Sequence, residues 1–400
     1  MGTPMPRFRE LRRVLPPVYW TVWLGTLINR AGNFVVPLLT FYLIDERGLS
    51  MGTAGAIVSL FGAGGVAAAL GGGVLADRIG RRATMAISLL GGAALMAALG
   101  SVTDPLAIAV LVVGLGMVGE LYRPAVQAFV ADVVPPEHRL QAFGMLYWAI
   151  NLGFSIAPVA AGLVASWSYR ALFFIDAATM AIYGAIVLVK VPETRPPPTQ
   201  ATQGERVSLG AVLTDGAFTR FLFFGFLVAF LFWQTSATLS AWMASLGHSA
   251  RTYGAVLAVN GVLIVVAQPA ITSRIATLDR SRVLLVSALL AGLGLSLHGV
   301  GAAIALHVLA VAIWTLAEIL SSPTTAAVVS DFSTARSRGR YQGVYTMSWG
   351  LASFLGPLVG PFALERAGPA VTWGGCLVIG GVAAIGLAAT TPRHRPTPPT

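Results

Sequence analysis

The sequence predicts an all-α integral membrane protein with twelve transmembrane helices, arranged as two pseudo-symmetric six-helix bundles. Apolar residues make up 56% of its 400 residues and charged residues only 10%, whereas a soluble domain carries about 25% charged residues. Twelve apolar runs are long enough to cross a bilayer. A pattern of polar residues in the first half also recurs in the second half, which indicates two related bundles.

A helix that spans a bilayer needs about 20 mostly apolar residues. The predicted spans are 18–44, 53–76, 83–101, 106–131, 140–166, 170–191, 218–244, 252–274, 282–300, 303–328, 340–363 and 369–390. Proline and glycine occur inside several of these runs, which membranes tolerate because neighbouring helices satisfy the freed backbone groups.

One long polar stretch divides the spans into two sets of six. It contains a run of three prolines and is predicted to be a cytoplasmic linker, with a short helix near 207–213. The predicted domains are therefore an N-terminal bundle at 1–191, a linker at 192–217, and a C-terminal bundle with a short disordered tail at 218–400.

The basic residues orient the chain. If both termini are cytoplasmic, 20 of the 26 Lys and Arg residues lie in cytoplasmic segments and four lie outside. This bias follows the positive-inside rule and predicts a multi-pass protein of the inner (plasma) membrane with cytoplasmic ends. The net charge of +10 does not indicate nucleic-acid binding, because the basic residues occupy separate short loops.

An internal repeat links the two halves. The matching residues are Glu120, Pro124, Asp132, Arg139, Gln141, Trp148 and Pro158 in the first half, and Glu318, Pro323, Asp331, Arg338, Gln342, Trp349 and Pro357 in the second. Their separations stay between 198 and 201 residues. Such an ordered set indicates tandem repeats related by an axis along the membrane normal.

The sequence shows no motif for enzymatic chemistry or ATP hydrolysis. It has no phosphate-binding Gly-rich loop, no nucleophile elbow and no Cys/His metal cluster. The single cysteine, Cys376, excludes an internal disulfide. We therefore expect no cofactor and no metal, and a monomer whose partners are a small-molecule substrate, protons and the bilayer.

The segment 73–82, Gly-Val-Leu-Ala-Asp-Arg-Ile-Gly-Arg-Arg, lies between the second and third spans. It resembles the G-x-L-a-D-r-x-G-r-k signature of the major facilitator superfamily, in the position where that family has it. The resemblance implies the major facilitator fold over the whole chain. The segment 318–343 looks most like twelve-helix proton-coupled multidrug antiporters. In the fifth span, Gly153, Ala157-Pro158 and Gly162 resemble the antiporter signature, with alanine at two of its glycine positions.

The same loop predicts a conformational latch at the cytoplasmic edge. Its residues are Gly73, Asp77, Arg78, Gly80, Arg81 and Arg82, with Asp132 as the expected partner. An acid within a basic loop favours a charged network that holds the outward-open state. The alternative is that the arginines only anchor the topology.

Five charged residues fall well inside predicted spans, where ionisable groups are expensive and are functional candidates by default. Glu318 follows Trp314 by four residues, so the two share a helix face. A carboxyl in apolar surroundings exchanges protons near neutral pH, and the resemblance places a proton-carrying or substrate-facing acid here. The alternative is a structural hydrogen bond. Asp176 is interpreted as structural.

Glu120 and Arg123 are three residues apart and can pair along one helix. They either neutralise each other or couple protonation of Glu120 to movement of Arg123. Arg30, flanked by Asn29 and Asn33, either lines the cavity, pairs with an acid or contacts an anionic substrate group. Further polar or aromatic candidates are Trp233, Gln234 and Asn151, while His298 and His307 are interpreted as interfacial.

The leading functional hypothesis is a secondary active transporter that exports amphipathic small molecules in exchange for protons, by alternating access. The alternatives are a proton-coupled importer or facilitator of a small metabolite, and a lipid flippase.

Overall fold

The computed structural model describes residues 14–33, 35–135, 138–194, 209–275, 277–333 and 338–392, and within these ranges the chain is helical and contains no strand. The α-helices, in chain order, are α1 Pro17–Ala31, α2 Val35–Asp45, α3 Met51–Ile79, α4 Arg81–Leu99, α5 Pro105–Gly119, α6 Tyr122–Val133, α7 Arg139–Ala165, α8 Tyr169–Lys190, α9 Leu209–Leu213, α10 Gly216–Trp233, α11 Thr238–Ser245, α12 Ala250–Ile275, α13 Arg280–Ser296, α14 Ile304–Asp331 and α15 Arg338–Thr390. A 3₁₀ turn, Leu297–Gly299, follows α13.

These helices account for the twelve predicted spans. Ten described segments are long and apolar enough to cross a membrane. The pair α1 and α2 adds the first span, because each helix alone is too short, at 15 and 11 residues. Helix α15 has 53 residues and a non-helical break at Gly368, where φ is 80°. At 1.5 Å per residue it would be about 80 Å long, so it comprises two spans joined at Gly368.

Three predicted spans are interrupted rather than continuous. The first breaks after Ala31, the fourth breaks at Glu120 and Leu121, and the seventh breaks between Trp233 and Thr238. Irregular backbone inside a membrane is tolerated where protein buries it or where it lines a water-filled cavity. In transporters, such breaks are where substrates and coupling ions bind. Mean hydropathy does not reveal these breaks, because it reports the length of an apolar run but not its backbone path.

The described chain divides into two compact units. Unit 1 consists of Met1–Val36 and Ala63–Gln200, and unit 2 consists of Pro37–Gly62 and Ala201–Thr400. Residues 195–208, most of the predicted linker, lie outside the described residues. Helix α9 lies where the sequence indicated a short helix. The predicted bundle boundaries at 191 and 218 stay a prediction.

The internal repeat reappears as matching ion pairs, one in each unit. Arg81 at the start of α4 pairs with Asp132 near the end of α6, with 3.0 Å between Nε and Oδ2. Arg280 at the start of α13 pairs with Asp331 at the end of α14. Both pairs join residues 51 apart, and the second pair stands 199 residues after the first. The repeat is therefore one of structure as well as of sequence.

Two serines repeat in the same way. Ser88 of α4 donates a hydrogen bond to the carbonyl of Val118 at 2.7 Å, and Ser287 of α13 donates to the carbonyl of Ala317 at 2.8 Å. Each bond ties the third helix of its half to the fourth. Hydroxyl groups that bond across helices hold membrane bundles together where apolar surfaces alone do not select a packing.

Substituting Gly380 by valine should destabilise unit 2. Gly380 in α15 faces Gly292 in α13, and a Cβ at Gly380 would lie 2.6 Å from the Gly292 Cα. Backbones this close cannot accept a larger side chain without moving apart, and overpacking typically costs about 1–3 kcal/mol. We expect a clearly lower thermal unfolding temperature of the purified protein. Gly381→Val is the matched control, because a Cβ at Gly381 meets nothing within 4 Å. Equal effects of the two substitutions would contradict this packing.

Candidate substrate and proton site

Arg30 lies in the last turn of α1, directly before the break in the first span. Its guanidinium carbon stands 5.8 Å from the centre of the Phe154 ring. Its Nε atom is buried without a hydrogen-bond partner. Among the residues that the structure describes, Arg30 makes no ion pair. A positively charged group without an ion-pair partner therefore stands at an interrupted membrane helix.

Glu120 and Arg123 flank the break in the fourth span. Arg123 Nε and Glu120 Oε2 are 2.8 Å apart, and the side chains are 57% and 20% exposed respectively. The predicted pairing between these two residues is thus present in the structure. Arg123, Glu120 and Asp176 are the charged side chains that act electrostatically on Arg30.

A buried chain of hydroxyl groups connects the first, fourth and sixth spans beside these charges. The Thr26 Oγ1 and Tyr122 hydroxyl groups are 2.6 Å apart, and the Tyr122 and Tyr183 hydroxyl groups are also 2.6 Å apart. Tyr183 donates to the backbone carbonyl of Val22 at 3.0 Å. Such a network, satisfied at each step, fixes the position of α1 against its neighbours. Sequence analysis missed it, because no motif connects residues this far apart.

Asp176 is buried on α8 and accepts a hydrogen bond from the backbone nitrogen of Val35, at 3.4 Å. Val35 is the first residue of α2. A carboxylate at a helix N-terminus compensates the unpaired backbone N–H groups and the positive end of the helix dipole. Asp176 thus supports the restart of the first span, in agreement with the structural interpretation.

Glu318 lies in the middle of α14, and its surroundings are neutral. Asn260 of α12 donates its side-chain amide to Glu318 Oε2 at 2.8 Å and to the Thr315 hydroxyl at 3.1 Å. No basic side chain within the described part of the chain comes within ion-pair distance of Glu318. An ionised Glu318 would therefore rest on a single neutral donor inside a membrane-spanning helix, and this is an expensive arrangement.

A small cavity within unit 2 begins one turn along α14 from Glu318. Its lining is mostly hydroxyl-bearing and aromatic, with contributions from the seventh, ninth, tenth, eleventh and twelfth spans. The polar and aromatic lining residues are Ser287, Ser321, Ser322, Thr325, Tyr345 and Trp349. Polar groups and an aromatic wall therefore lie close to one titratable acid.

An aromatic cluster continues from this cavity to the predicted Trp314. The ring of Phe232 stacks on Trp349 with centres 6.3 Å apart, and it lies 6.5 Å from Trp314 at a tilt. Trp314 and Trp233 are candidates for donation to a ligand, because the indole nitrogen of each is buried and without a partner in the described structure.

The remaining predicted residues divide by how their polar groups are used. Asn151 donates to the carbonyl of Tyr147 in its own helix. Gln234 bonds to Phe230 and Thr238 across the break in the seventh span. Both amides are therefore occupied locally. Asn29 and Asn33 flank Arg30 and are half-buried.

The predicted cytoplasmic network is centred on Arg81. Besides Asp132, the Arg81 guanidinium reaches the carbonyl of Ala76 at 2.9 Å. Glu193 accepts from the backbone nitrogen of Arg81 at 2.8 Å, and Thr194 donates to Asp132 at 3.0 Å. Glu193 and Thr194 were not predicted, because they follow the sixth span by sequence and join the loop only in the folded chain.

The loop before the third span requires a glycine at position 80. Its φ angle is +104°, which side-chain-bearing residues rarely adopt, and a Cβ there would collide with the Glu193 carboxylate. Arg82 donates to the carbonyl of Leu188, and Arg78 is exposed. The predicted residues Gly73 and Asp77 belong to α3, but the environment of both lies outside what the structure describes.

Two histidines near the ends of the ninth and tenth spans pack against each other inside the protein. His298 and His307 are fully buried, and their Nδ1 atoms are 2.9 Å apart. The short connection between the ninth and tenth spans turns back on itself, so that the two imidazole rings stack with centres 5.2 Å apart. Sequence position did not reveal this contact, because the turn that brings the two rings together forms only in the folded chain.

The sequence is similar to those of known membrane transporters. The family model described as Major Facilitator Superfamily matches residues 22–244 and again 222–400. A Na(+), Li(+), K(+)/H(+) antiporter of Planococcus maritimus is 27% identical over 365 residues, covering 83% of this chain and 85% of that protein. The quinolone resistance protein NorA of Staphylococcus aureus is 31% identical over 165 residues, covering 40% of this chain and 42% of that protein.

The fold also matches a solved structure. A point mutant of the nucleoside transporter NupG superposes with a TM-score of 0.78 at 18% identity, covering 92% of this chain and 99% of that chain. At this identity the likeness shows the fold alone. The family match, however, extends over nearly the whole described chain and occurs once in each half. The protein is therefore a multi-pass membrane transporter rather than an enzyme, and it belongs to the major facilitator superfamily.

Proposed function

We propose that this transporter exports amphipathic small molecules across the inner membrane in exchange for protons, with Glu318 as the proton carrier. The proposal rests on one observation above the others. Glu318 is the acid on the tenth span, it has no basic partner in the described structure, and its only side-chain donor is neutral Asn260. Such a carboxyl group gains from binding either a proton or a positively charged ligand group.

Exchange follows from competition at this site. A proton from outside neutralises Glu318, and the neutral acid then passes through the conformational change without a desolvated charge. On the cytoplasmic side, substrate binding displaces that proton. Because the proton and the substrate occupy Glu318 in turn, alternating access yields antiport. The antiporter and quinolone-resistance names of two relatives support this class of function.

A second candidate is antiport of a monovalent metal cation against protons. The Glu318 carboxylate and the Thr315 hydroxyl bring oxygen atoms together at the Asn260 amide, and hard cations prefer oxygen ligands. The relative from Planococcus carries such an activity in its name and aligns over most of both chains. The unpaired charge of Arg30 argues against a metal cation as the sole cargo.

The proposal also includes the orientation, the membrane location and the oligomeric state of the transporter. The excess of basic residues in alternate loops supports cytoplasmic termini and an inner-membrane location, and a monomer is sufficient for the mechanism. Import or facilitated diffusion of a small metabolite, and lipid flipping, are the alternatives. None of these alternatives requires that protons move when a drug is added.

The test is the internal pH of proteoliposomes that contain the purified protein under an imposed proton gradient. Cationic, neutral and zwitterionic drugs are added in one series, and NaCl, LiCl and KCl in another. Proton movement that depends on a drug supports the proposal, and movement that depends only on a metal cation supports the second candidate. Substrate counterflow that does not respond to pH would overturn both.

A further inference from the structure

We infer that Arg30 forms an anion-binding site, and that the substrates are amphipathic compounds that carry, besides a basic group, a carboxylate that docks on its guanidinium. The inference deepens the proposed function and rests on it, because it names the substrate class of the same transporter. It concerns unit 1, whereas the proposed proton carrier Glu318 lies in unit 2.

The acids that act on Arg30 already have other partners. The carboxylate of Glu120 is already engaged with Arg123 at 2.8 Å. Asp176 is already engaged at the start of α2, through the backbone nitrogen of Val35. Both acids act on Arg30 only from a distance, and Arg123 adds a like charge. Within the described part of unit 1, the Arg30 guanidinium is therefore left without a counter-ion.

An unpaired charge inside a membrane-spanning segment is energetically costly. A charged side chain inside a membrane-spanning segment costs about 2.5–3.5 kcal/mol on insertion scales, and such residues normally pair or face a cavity. A charge that is kept without a protein partner is explained if a ligand supplies the partner. An arriving anion then removes an existing penalty instead of breaking an ion pair, which favours binding.

The geometry of the Arg30 guanidinium suits a carboxylate ligand. The guanidinium carbon lies over the ring of Phe154, 5.8 Å from its centre. The donors lie in the plane, and the buried Nε among them is free. The Nε edge of arginine presents two parallel N–H bonds that match the two oxygens of a carboxylate. The phenyl ring beside it suits a ligand whose carboxylate is joined to an apolar or aromatic body.

Arg30 also lies at a break in a membrane-spanning helix. Arg30 is the second-last residue of α1, and Glu120 and Arg123 border the break between α5 and α6. Both interruptions fall inside predicted spans of unit 1. Breaks in transporter helices accompany binding sites, because freed backbone groups there need a cavity or a ligand. The uncompensated charge thus stands where a substrate would be expected.

The test measures binding at constant pH in a neutral maltoside detergent. A panel of amphipathic aromatic carboxylic acids, including a quinolone, is compared with the methyl ester of each acid, using the thermal unfolding temperature of the protein. We expect the acids to raise this temperature and the esters to lose most of the effect. Arg30→Gln should weaken binding of the best acid at least about tenfold, within the range for charge-assisted hydrogen bonds, and Arg30→Lys less so. Arg251→Gln, which removes an exposed arginine at the start of α12, should change nothing.

The ligand-free variant supplies an independent readout. Removal of an unpaired charge from a membrane-spanning segment should leave the unfolding temperature unchanged or raise it, whereas breaking a structural pair would lower it. A marked loss of stability in ligand-free Arg30→Gln would overturn the inference. It would be overturned equally by a panel in which esters bind as well as acids, or in which no acid binds. These outcomes are read from binding alone, so they are distinct from a failure of proton exchange.

Discussion

Glu318→Gln is expected to reduce substrate-dependent proton movement to the level of protein-free liposomes while the transporter still exchanges substrate for substrate. Glutamine keeps the size of the side chain and can still bond to Asn260, but it cannot release a proton. Exchange of substrate across the membrane needs only the conformational change, which a neutral side chain at position 318 permits. The measurement compares internal pH with counterflow of labelled substrate in the same vesicles.

Two matched variants complete this prediction. Glu318→Asp keeps a carboxyl group on a shorter stem, so it should retain part of the proton movement. Glu46→Gln removes an exposed acid after the first span and should behave as wild type. If Glu318→Gln retains proton movement at the wild-type rate, another group carries the proton.

Asp132→Asn is expected to shift the equilibrium between the conformations of the transporter. It removes the Asp132 carboxylate from Arg81, whose side chain is only 8% exposed. Loss of one partner from a fully buried pair costs about 3–5 kcal/mol. Because Asp132 is 25% exposed, we expect less than that, a shift in populations of about 10- to 100-fold, where each factor of ten equals about 1.4 kcal/mol. The predicted direction is away from the outward-open state.

The measurement is the distance distribution between spin labels at Gly144→Cys and Gly343→Cys, in a Cys376→Ala background. These two glycines are related by the repeat, and a Cβ at either meets nothing within 4 Å. Asp331→Asn is the matched variant in the second half. Its pair with Arg280 is more exposed, at 27% and 41%, so its effect should be smaller. Unchanged distributions in both variants would show that the pairs anchor the fold without biasing its states.

Much of the architecture was predictable because a bilayer restricts the options. Helix number follows from apolar run length, and the repeat of Asp132 as Asp331 indicated two related halves. The breaks at Glu120 and at Gln234 were not predictable, because apolar residues continue on both sides of them. Glu193 was missed for a different reason. Its role depends on the sixth span returning to the loop before the third, which sequence spacing does not encode.

The site could be predicted in type more than in detail. Charges inside spans are few, so Glu318, Arg30, Glu120 and Arg123 stood out from the sequence alone. Their partners were not visible: the bond from Asn260 to Glu318 joins residues 58 apart. The sequence also left open whether Arg30 pairs with an acid. The folded chain places its available acids on other partners, and that arrangement motivates the anion site.

Proton release on ligand binding tests the central claim most directly. Purified protein in weakly buffered neutral detergent is mixed with a saturating quinolone carboxylic acid, and a pH indicator reports the protons released. The account predicts about one proton per bound ligand in the wild type and none in Glu318→Gln at equal ligand occupancy. Equal release by both proteins, or saturating binding to the wild type without any release, would contradict proton-for-substrate exchange at Glu318.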